Sequence, residues 1–324
     1  MKIPLRRAAP ETREDARSKN AGFRAPAGHR QPVKGVVLMI CAVTLFSVMD
    51  TGAKYLAERY PVVMVAWARF FFNVAIMFVF LGPIFGRRLI ATRRPRLQVV
   101  RGIALGLSSI LFVSGLQHMR LADASAVSFI TPMLVTIGAV HVFRQRAPSG
   151  TWLALAASFL GVLLVIQPGS STFTWAAVLP VGTAVFAAIY QLLTSRVAGV
   201  DDPTSTLFIG ALICAVVLTV PVTFYWTWPR SISDGLLFAG IGAVGAFSHY
   251  LIIRAFDYAA PVVLAPFAYL QIVGALLLGW VVFGNFPGPL ALVGMTLIVV
   301  TGVAMGLRQR APPPRRTDGA QAPE

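Results

Sequence analysis

Ten apolar runs, each close to the length needed to cross a bilayer, constrain this 324-residue chain more than any other feature. Crossing about 30 Å of hydrocarbon at about 1.5 Å per residue takes roughly 20 residues. The runs occupy 35–56, 62–85, 98–117, 123–142, 150–167, 175–196, 204–226, 235–256, 260–282 and 288–307, separated by charge clusters and turn residues. Lipid offers no partner for a bare N–H or C=O, so segments of this length must satisfy their own backbone as helices. Composition agrees, with 56% hydrophobic residues against 12% charged ones. The expected fold is an all-α integral membrane protein of ten transmembrane helices.

A formal charge of +16 raises the question of nucleic acid. The distribution answers it: Lys and Arg gather in the two tails and a few short loops, with no aromatic interleaving and no recognisable nucleic-acid module. If both termini lie inside, 23 of the 28 basic residues fall on that side, and Lys54, Arg59, Arg120 and Arg230 are left outside, with Arg69 within a span. This bias predicts a multi-pass protein of the bacterial cytoplasmic (inner) membrane with both termini cytoplasmic, in contact with lipid and not with nucleic acid. Residues 1–33 and 308–324 read as disordered cytosolic tails, the first without the apolar core of a signal peptide. Cys41 and Cys214 both lie in apolar runs, which is not the arrangement of a disulfide or a metal pair.

Sliding the chain against itself by 134 residues aligns Gly106 with Gly240, Ser114 with Ser248, Arg120 with Arg254, Asp123 with Asp257, Ala126 with Ala260 and Pro132 with Pro266. The register lays the third and fourth runs on the eighth and ninth, so the repeating unit holds five helices. With an odd number of crossings the second unit enters from the opposite side. Two inverted five-helix repeats are therefore expected, at 34–168 and 174–307, with a site between them near the membrane midplane.

Ionisable groups inside a bilayer are costly, about 2.5 to 3.5 kcal/mol each at a helix centre, and so point to function. Asp50 and Lys54 are four apart on one helix face. Arg69 lies at a depth matching Asp50, about 10 Å from the helix ends, which predicts an Asp50–Arg69 pair facing a cavity. Lys54 is nearer the surface, where snorkelling is the competing reading. His249 sits beside Ser248 and Tyr250 past the middle of its run and is a further candidate, with packing as the alternative. Pro132 and Pro266 hold equivalent positions, where each removes a backbone hydrogen bond and bends its helix, placing both along a pathway. Trp67, Phe129, Tyr190, Gln191, Tyr269 and Gln271 supply stacking and hydrogen-bonding groups for a small-molecule substrate. No zinc-type spacing, nucleophile elbow or carboxylate cluster is present in the sequence, so neither an enzyme nor a cofactor or metal site is expected. A membrane-embedded enzyme would need such a cluster at one depth, and a non-transporting scaffold would not need charge inside its helices.

Phe46-Ser-Val-Met-Asp-Thr-Gly-Ala-Lys54, Trp67-Ala-Arg-Phe70, the run Leu121-Ala-Asp-Ala-Ser-Ala-Val-Ser-Phe-Ile-Thr-Pro132, Arg254-Ala-Phe-Asp-Tyr-Ala-Ala-Pro261 and Ala265-Pro-Phe-Ala-Tyr-Leu-Gln271 follow in order along the chain. In that order, over about 35–307, the chain resembles the EamA-type transporters of the drug/metabolite transporter superfamily. The resemblance implies ten helices in two repeats, a central cavity, and proton-coupled or exchange transport by alternating access, as a monomer or homodimer. Its implied cargoes are riboflavin, S-adenosylmethionine or an amino-acid-like compound.

Overall fold

The computed structural model describes residues 32–142, 150–169, 174–197, 200–259, 264 and 267–308. Those residues form helices and no strand: α1 (Pro32–Ala57), α2 (Val62–Phe85), α3 (Pro95–His118), α4 (Leu121–Ser128), α5 (Thr131–Val142), α6 (Thr151–Ile166), α7 (Val178–Val197), α8 (Pro203–Phe224), α9 (Ile232–Tyr258), α10 (Leu270–Phe283) and α11 (Pro289–Arg308). Short 3-10 turns, Gly86–Ile90 and Trp175–Ala177, extend α2 and precede α7. Among the described residues, seven segments are long and apolar enough to cross a membrane: Val33–Ala57, Val62–Ile90, Pro95–His118, Leu121–Val142, Trp175–Val197, Pro203–Phe224 and Ile232–Ala255. Three shorter apolar helices, Trp152–Ile166, Leu270–Phe283 and Pro289–Ala304, follow the remaining runs. Most of the two tails, and Pro266 with them, lies outside the described residues.

Chemistry at the helix ends explains several of the boundaries. Pro95 and Pro203 occupy first helical positions, where a missing N–H removes nothing the helix would use. Asp202 caps α8 by accepting from the Thr204 and Ser205 N–H groups at 2.8 and 3.2 Å, and Ser231 caps α9 through the Asp234 N–H at 3.1 Å. Gly284, at φ +68°, ends α10 in the left-handed region that a Cβ would disfavour. The run at 123–142 is interrupted at Phe129 and Ile130 and resumes as α5. Pro132 is the second residue of α5, so it opens a helix rather than bending the interior of one.

The bundle buries polar residues beside its apolar core and leaves many large apolar side chains on its outer surface. On α1, Ser47, Asp50, Thr51 and Lys54 are buried while Val37, Ile40 and Val48 are exposed; on α2, Phe78, Val79 and Phe80 face out. Water penalises that arrangement and lipid rewards it. Glycines bring the helices together. A Cβ on Gly161 would lie 2.8 Å from the Gly294 carbonyl oxygen, so α6 and α11 meet backbone to backbone, and Gly35 packs as tightly against Ala259.

Contacts between loops sort the ends of the bundle into two faces. At the near face, where α1 begins, the 91–94 turn bonds to Asp201 and to the Arg196 carbonyl. At the opposite, far face, Tyr60 bonds to Asp234 and Arg120 to the Phe286 carbonyl. The most extensive helix pairings are α1 with α9, α3 with α7, and α6 with α11, followed by α2 with α9, α2 with α8, α1 with α10 and α3 with α8.

Candidate functional site

Midway between the faces lies a cavity of about 300 Å³, walled by α1, α2, α3, α7, α8, α9 and α10. Asp50 enters from α1 and Arg69 from α2, with the Arg69 Nη2 to Asp50 Oδ1 distance 3.5 Å. Their side chains are 4% and 15% exposed, so the pair is screened by little water. A Cβ on Gly274 would overlap Ser47, and its absence lets α10 lie against α1. That closeness carries Gln271 to the cavity, where its Nε2 donates to Asp50 Oδ2 at 3.1 Å. Gly242 and Gly245 do the same for α9, admitting Phe72 and Met49 against its backbone and setting His249 into the wall. The His249 ring meets Phe46 edge to face, 4.9 Å between centroids.

One chemical feature separates this cavity from a packing defect. Among the described residues six buried side-chain polar atoms lack a hydrogen-bond partner, and four of them belong to cavity-lining residues: Asp50 Oδ1, Arg69 Nη1, Asn73 Oδ1 and Ser109 Oγ. Such groups cost about 1 to 3 kcal/mol each when left unmade. Together they offer an open acceptor beside an open cationic donor, with Phe46, Phe70 and Phe112 as apolar walls. A slightly larger hollow, about 370 Å³, lies among the near-face loops at Arg88, Thr92 and Asp201. Its Asp201 carboxylate is already held by Thr92, Arg93 and Gln98.

Of the residues singled out in the sequence, Asp50, Arg69, Tyr190, His249 and Gln271 line the cavity. Lys54 does not: its ammonium donates to the Leu116 and Met119 carbonyls at 2.7 and 3.0 Å and pairs with Glu58 at 3.1 Å. It neither snorkels nor faces the cavity but stabilises the end of α3, where a cation suits the helix dipole. Trp67 donates its indole N–H to Thr219 at 3.0 Å and stacks on Phe71. It lies two positions before Arg69, which turns it to nearly the opposite side of α2. Phe129 and Tyr269 pack on each other at 5.3 Å, with Gly302 against the Tyr269 ring. Gln191 and Pro132 are exposed.

Asn73, Ser108, Ser109 and Thr183 belong to the site and were not anticipated. Asn73 carried a usable signal, being a polar residue one turn from Arg69 in an apolar run. Arg101, counted with the near-face charges, is in fact buried in α3 at 1% exposure.

Residues 33–167 match the EamA-like transporter family. Relatives extend the likeness along nearly the whole chain. It is 26% identical to the S-adenosylmethionine uptake transporter of Rickettsia prowazekii over 82% of its own length and 90% of that protein's. It is 24% identical to the riboflavin transporter of Vibrio cholerae, over 83% and 92%, and 26% identical to the pseudopaline exporter CntI of Pseudomonas aeruginosa, over 84% and 95%. A solved crystal structure shares the fold, with a TM-score of 0.62 at 17% identity over 86% of this chain and 99% of the other. The protein is therefore a multi-pass membrane protein similar to proteins named as transporters. The matched segment supplies Asp50, Arg69, Asn73 and Ser109, while Tyr190, His249 and Gln271 close the cavity from the part of the chain beyond the match.

Proposed function

We propose that this protein is a secondary active transporter of a zwitterionic, amino-acid-like metabolite, carried across a bacterial cytoplasmic membrane by alternating access of two inverted five-helix halves. The observation that carries the reading is the Asp50–Arg69 pair at 3.5 Å, in which Asp50 Oδ1 and Arg69 Nη1 are left without a hydrogen bond. A carboxylate beside a guanidinium complements an ammonium beside a carboxylate, and each new contact is charge-assisted on both sides. Phe46, Phe70, Phe112 and His249 give the rest of the solute an aromatic wall. S-adenosylmethionine, which the Rickettsia relative is named for, has that head group, and riboflavin has a ring for the wall but no zwitterion.

Support for the inverted halves comes from contacts that occur in matched pairs. If α1–α6 and α7–α11 are equivalent units, α1 with α9 corresponds to α7 with α3, and α2 with α9 corresponds to α8 with α3. The contact of α1 with α10 has its counterpart in α7 with α4 and α5, and α6 with α11 is its own mate. The surplus of basic residues on the near face supports placing both termini in the cytoplasm. Motion is driven by a proton gradient or by exchange of solutes, since the sequence offers no nucleotide-binding loop.

The test is uptake by purified protein in proteoliposomes, screening radiolabelled S-adenosylmethionine, free amino acids and riboflavin with and without a proton gradient. Saturable uptake of a zwitterion is expected, with Arg69→Ala present in the membrane but reduced by about 100-fold, the scale of a lost charge-assisted contact. Undiminished transport by Arg69→Ala would sink the assignment.

A further inference from the structure

Arg101 lies about two turns into α3 from the near face, roughly 9 Å along the helix, and is 1% exposed. A guanidinium keeps its charge wherever it is placed and brings five donors that need acceptors. Its Nε donates to Gln98 Oε1 at 3.0 Å, its Nη1 to the Tyr190 hydroxyl at 3.2 Å and to Thr194 Oγ1 at 3.4 Å, and its Nη2 to the Thr206 carbonyl. These acceptors are all neutral and come from α3, α7 and α8. Among the described residues, negative charge reaches the group only through Gln98, whose Nε2 donates to Asp201 Oδ2 at 3.0 Å. Gly210 leaves room for the guanidinium, since a Cβ there would lie 2.9 Å from Nη2.

A buried arginine that merely packed would have no link to the cavity, and this one has two. Tyr190 both lines the cavity and accepts from Arg101. On α8, the two positions held against the guanidinium, Thr206 and Gly210, directly precede Leu207 and Ala211, which line the cavity as well. Leu105, one turn from Arg101 on α3, completes that side of the wall. The three helices that the guanidinium ties together thus each contribute to the cavity wall, through Leu105, Tyr190, and Leu207 with Ala211.

We propose that Arg101 is the positioning residue of a near-face gate: it holds α3, α7 and α8 together while the cavity is closed on that side, and it lets them part when a bound solute draws the Tyr190 hydroxyl away. Tyr190 is the relay, because its hydroxyl can bond to Arg101 or to a polar solute. The gate rests on the transport reading of the cavity, yet its test needs no transported solute.

A reporter Ser109→Cys, in a chain also carrying Cys41→Ser and Cys214→Ser, is labelled with a charged maleimide that does not cross lipid. Membrane vesicles of both orientations are used, and labelling at residue 109 is read by peptide mass spectrometry. Arg101→Gln is expected to raise labelling from the near face about tenfold, the scale of a hydrogen bond to a charged group, with far-face labelling little changed. Tyr190→Phe keeps the ring and is expected to shift labelling in the same direction by about threefold, and Arg101→Lys to fall between parent and Arg101→Gln. Should Arg101→Gln fail to reach the membrane, the other two variants decide. Near-face labelling equal to the parent in Tyr190→Phe and Arg101→Lys would overturn the gate. An equal rise from both faces would overturn it too, since that reports a loosened fold.

Discussion

At each face of the bundle a buried cation ties helices together, but the two cations are wired differently. Arg101, toward the near face, spreads its donors over three helices and reaches the cavity wall through Tyr190. Lys54, toward the far face, joins α1 to the last carbonyls of α3, pairs with Glu58 and lies over the Phe283 ring at 5.3 Å. None of those partners lines the cavity. Lys54 is only one turn from Asp50 along α1, so closeness in sequence does not decide which cation is coupled to the site. Hydrogen-bond connectivity does: the near-face cluster shares a side chain with the cavity, and the far-face cluster shares only a helix.

Replacing Lys54 is the strongest way to break this contrast. Lys54→Met keeps the stem and removes three donors, leaving the Leu116 and Met119 carbonyls without their ammonium partner. A stability loss of about 2 to 3 kcal/mol is expected, the range for hydrogen bonds to a charged group, seen as a lower unfolding midpoint in detergent. The KM for transport should stay within about twofold of the parent. A tenfold change in KM with the fold intact would show that Lys54 is coupled to the cavity after all, and the asymmetry would fall.

A milder probe of the far face is Tyr60→Phe. The Tyr60 hydroxyl donates to Asp234 Oδ2 at 2.6 Å and accepts from the Arg230 N–H at 2.8 Å, linking the loop after α1 to the start of α9. Its loss should lower the unfolding midpoint by less than Lys54→Met does. Labelling of the Ser109→Cys reporter from the near face should not change. Comparison with Tyr190→Phe, the same chemical deletion at the other face, separates loosening of a loop from release of a gate.

The sequence carried the coarse architecture because lipid imposes it: an apolar run of about 20 residues has few fates, and each of the runs contains a helix. It also carried the central pair, since an acid and a base at matched depth have strong reason to meet. What it did not carry was the rotation of each helix about its axis. Tyr190 and Gln191 are neighbours, yet one lines the cavity and the other is exposed. Such a distinction depends on which helix packs beside which, and here glycines such as Gly242, Gly245 and Gly274 decide it. Ser108, Ser109 and Thr183 were invisible for another reason. Small hydroxyls in apolar helices commonly bond back to their own backbone, as Thr44, Thr219 and Thr183 itself do here, and nothing local marks those that border a cavity. Arg101 was misplaced because basic residues in the preceding turn make it look like part of a charged loop, although two turns of helix separate it from that face.

The smallest expected effect concerns acid and tests whether the near-face cluster works as one unit. Asp201 lies in the loop before α8, outside the membrane-spanning segments. Burial pushes its carboxyl up, but the Arg93 N–H, the Thr92 hydroxyl and the Gln98 amide bond to it, and with the Arg93 charge they outweigh burial and hold its pKa below the usual 3.8. A group depressed on folding contributes stability in full above its unfolded value and loses it as pH falls through the folded value. The parent and Asp201→Asn should therefore differ by a constant amount in unfolding midpoint from about pH 7 down to about pH 5, and the difference should shrink below about pH 4. The same acidification should raise near-face labelling of the reporter in the parent, because Gln98 joins Asp201 to Arg101. If labelling ignores pH while the midpoint difference closes as expected, Asp201 braces its loop alone and the gate ends at Gln98.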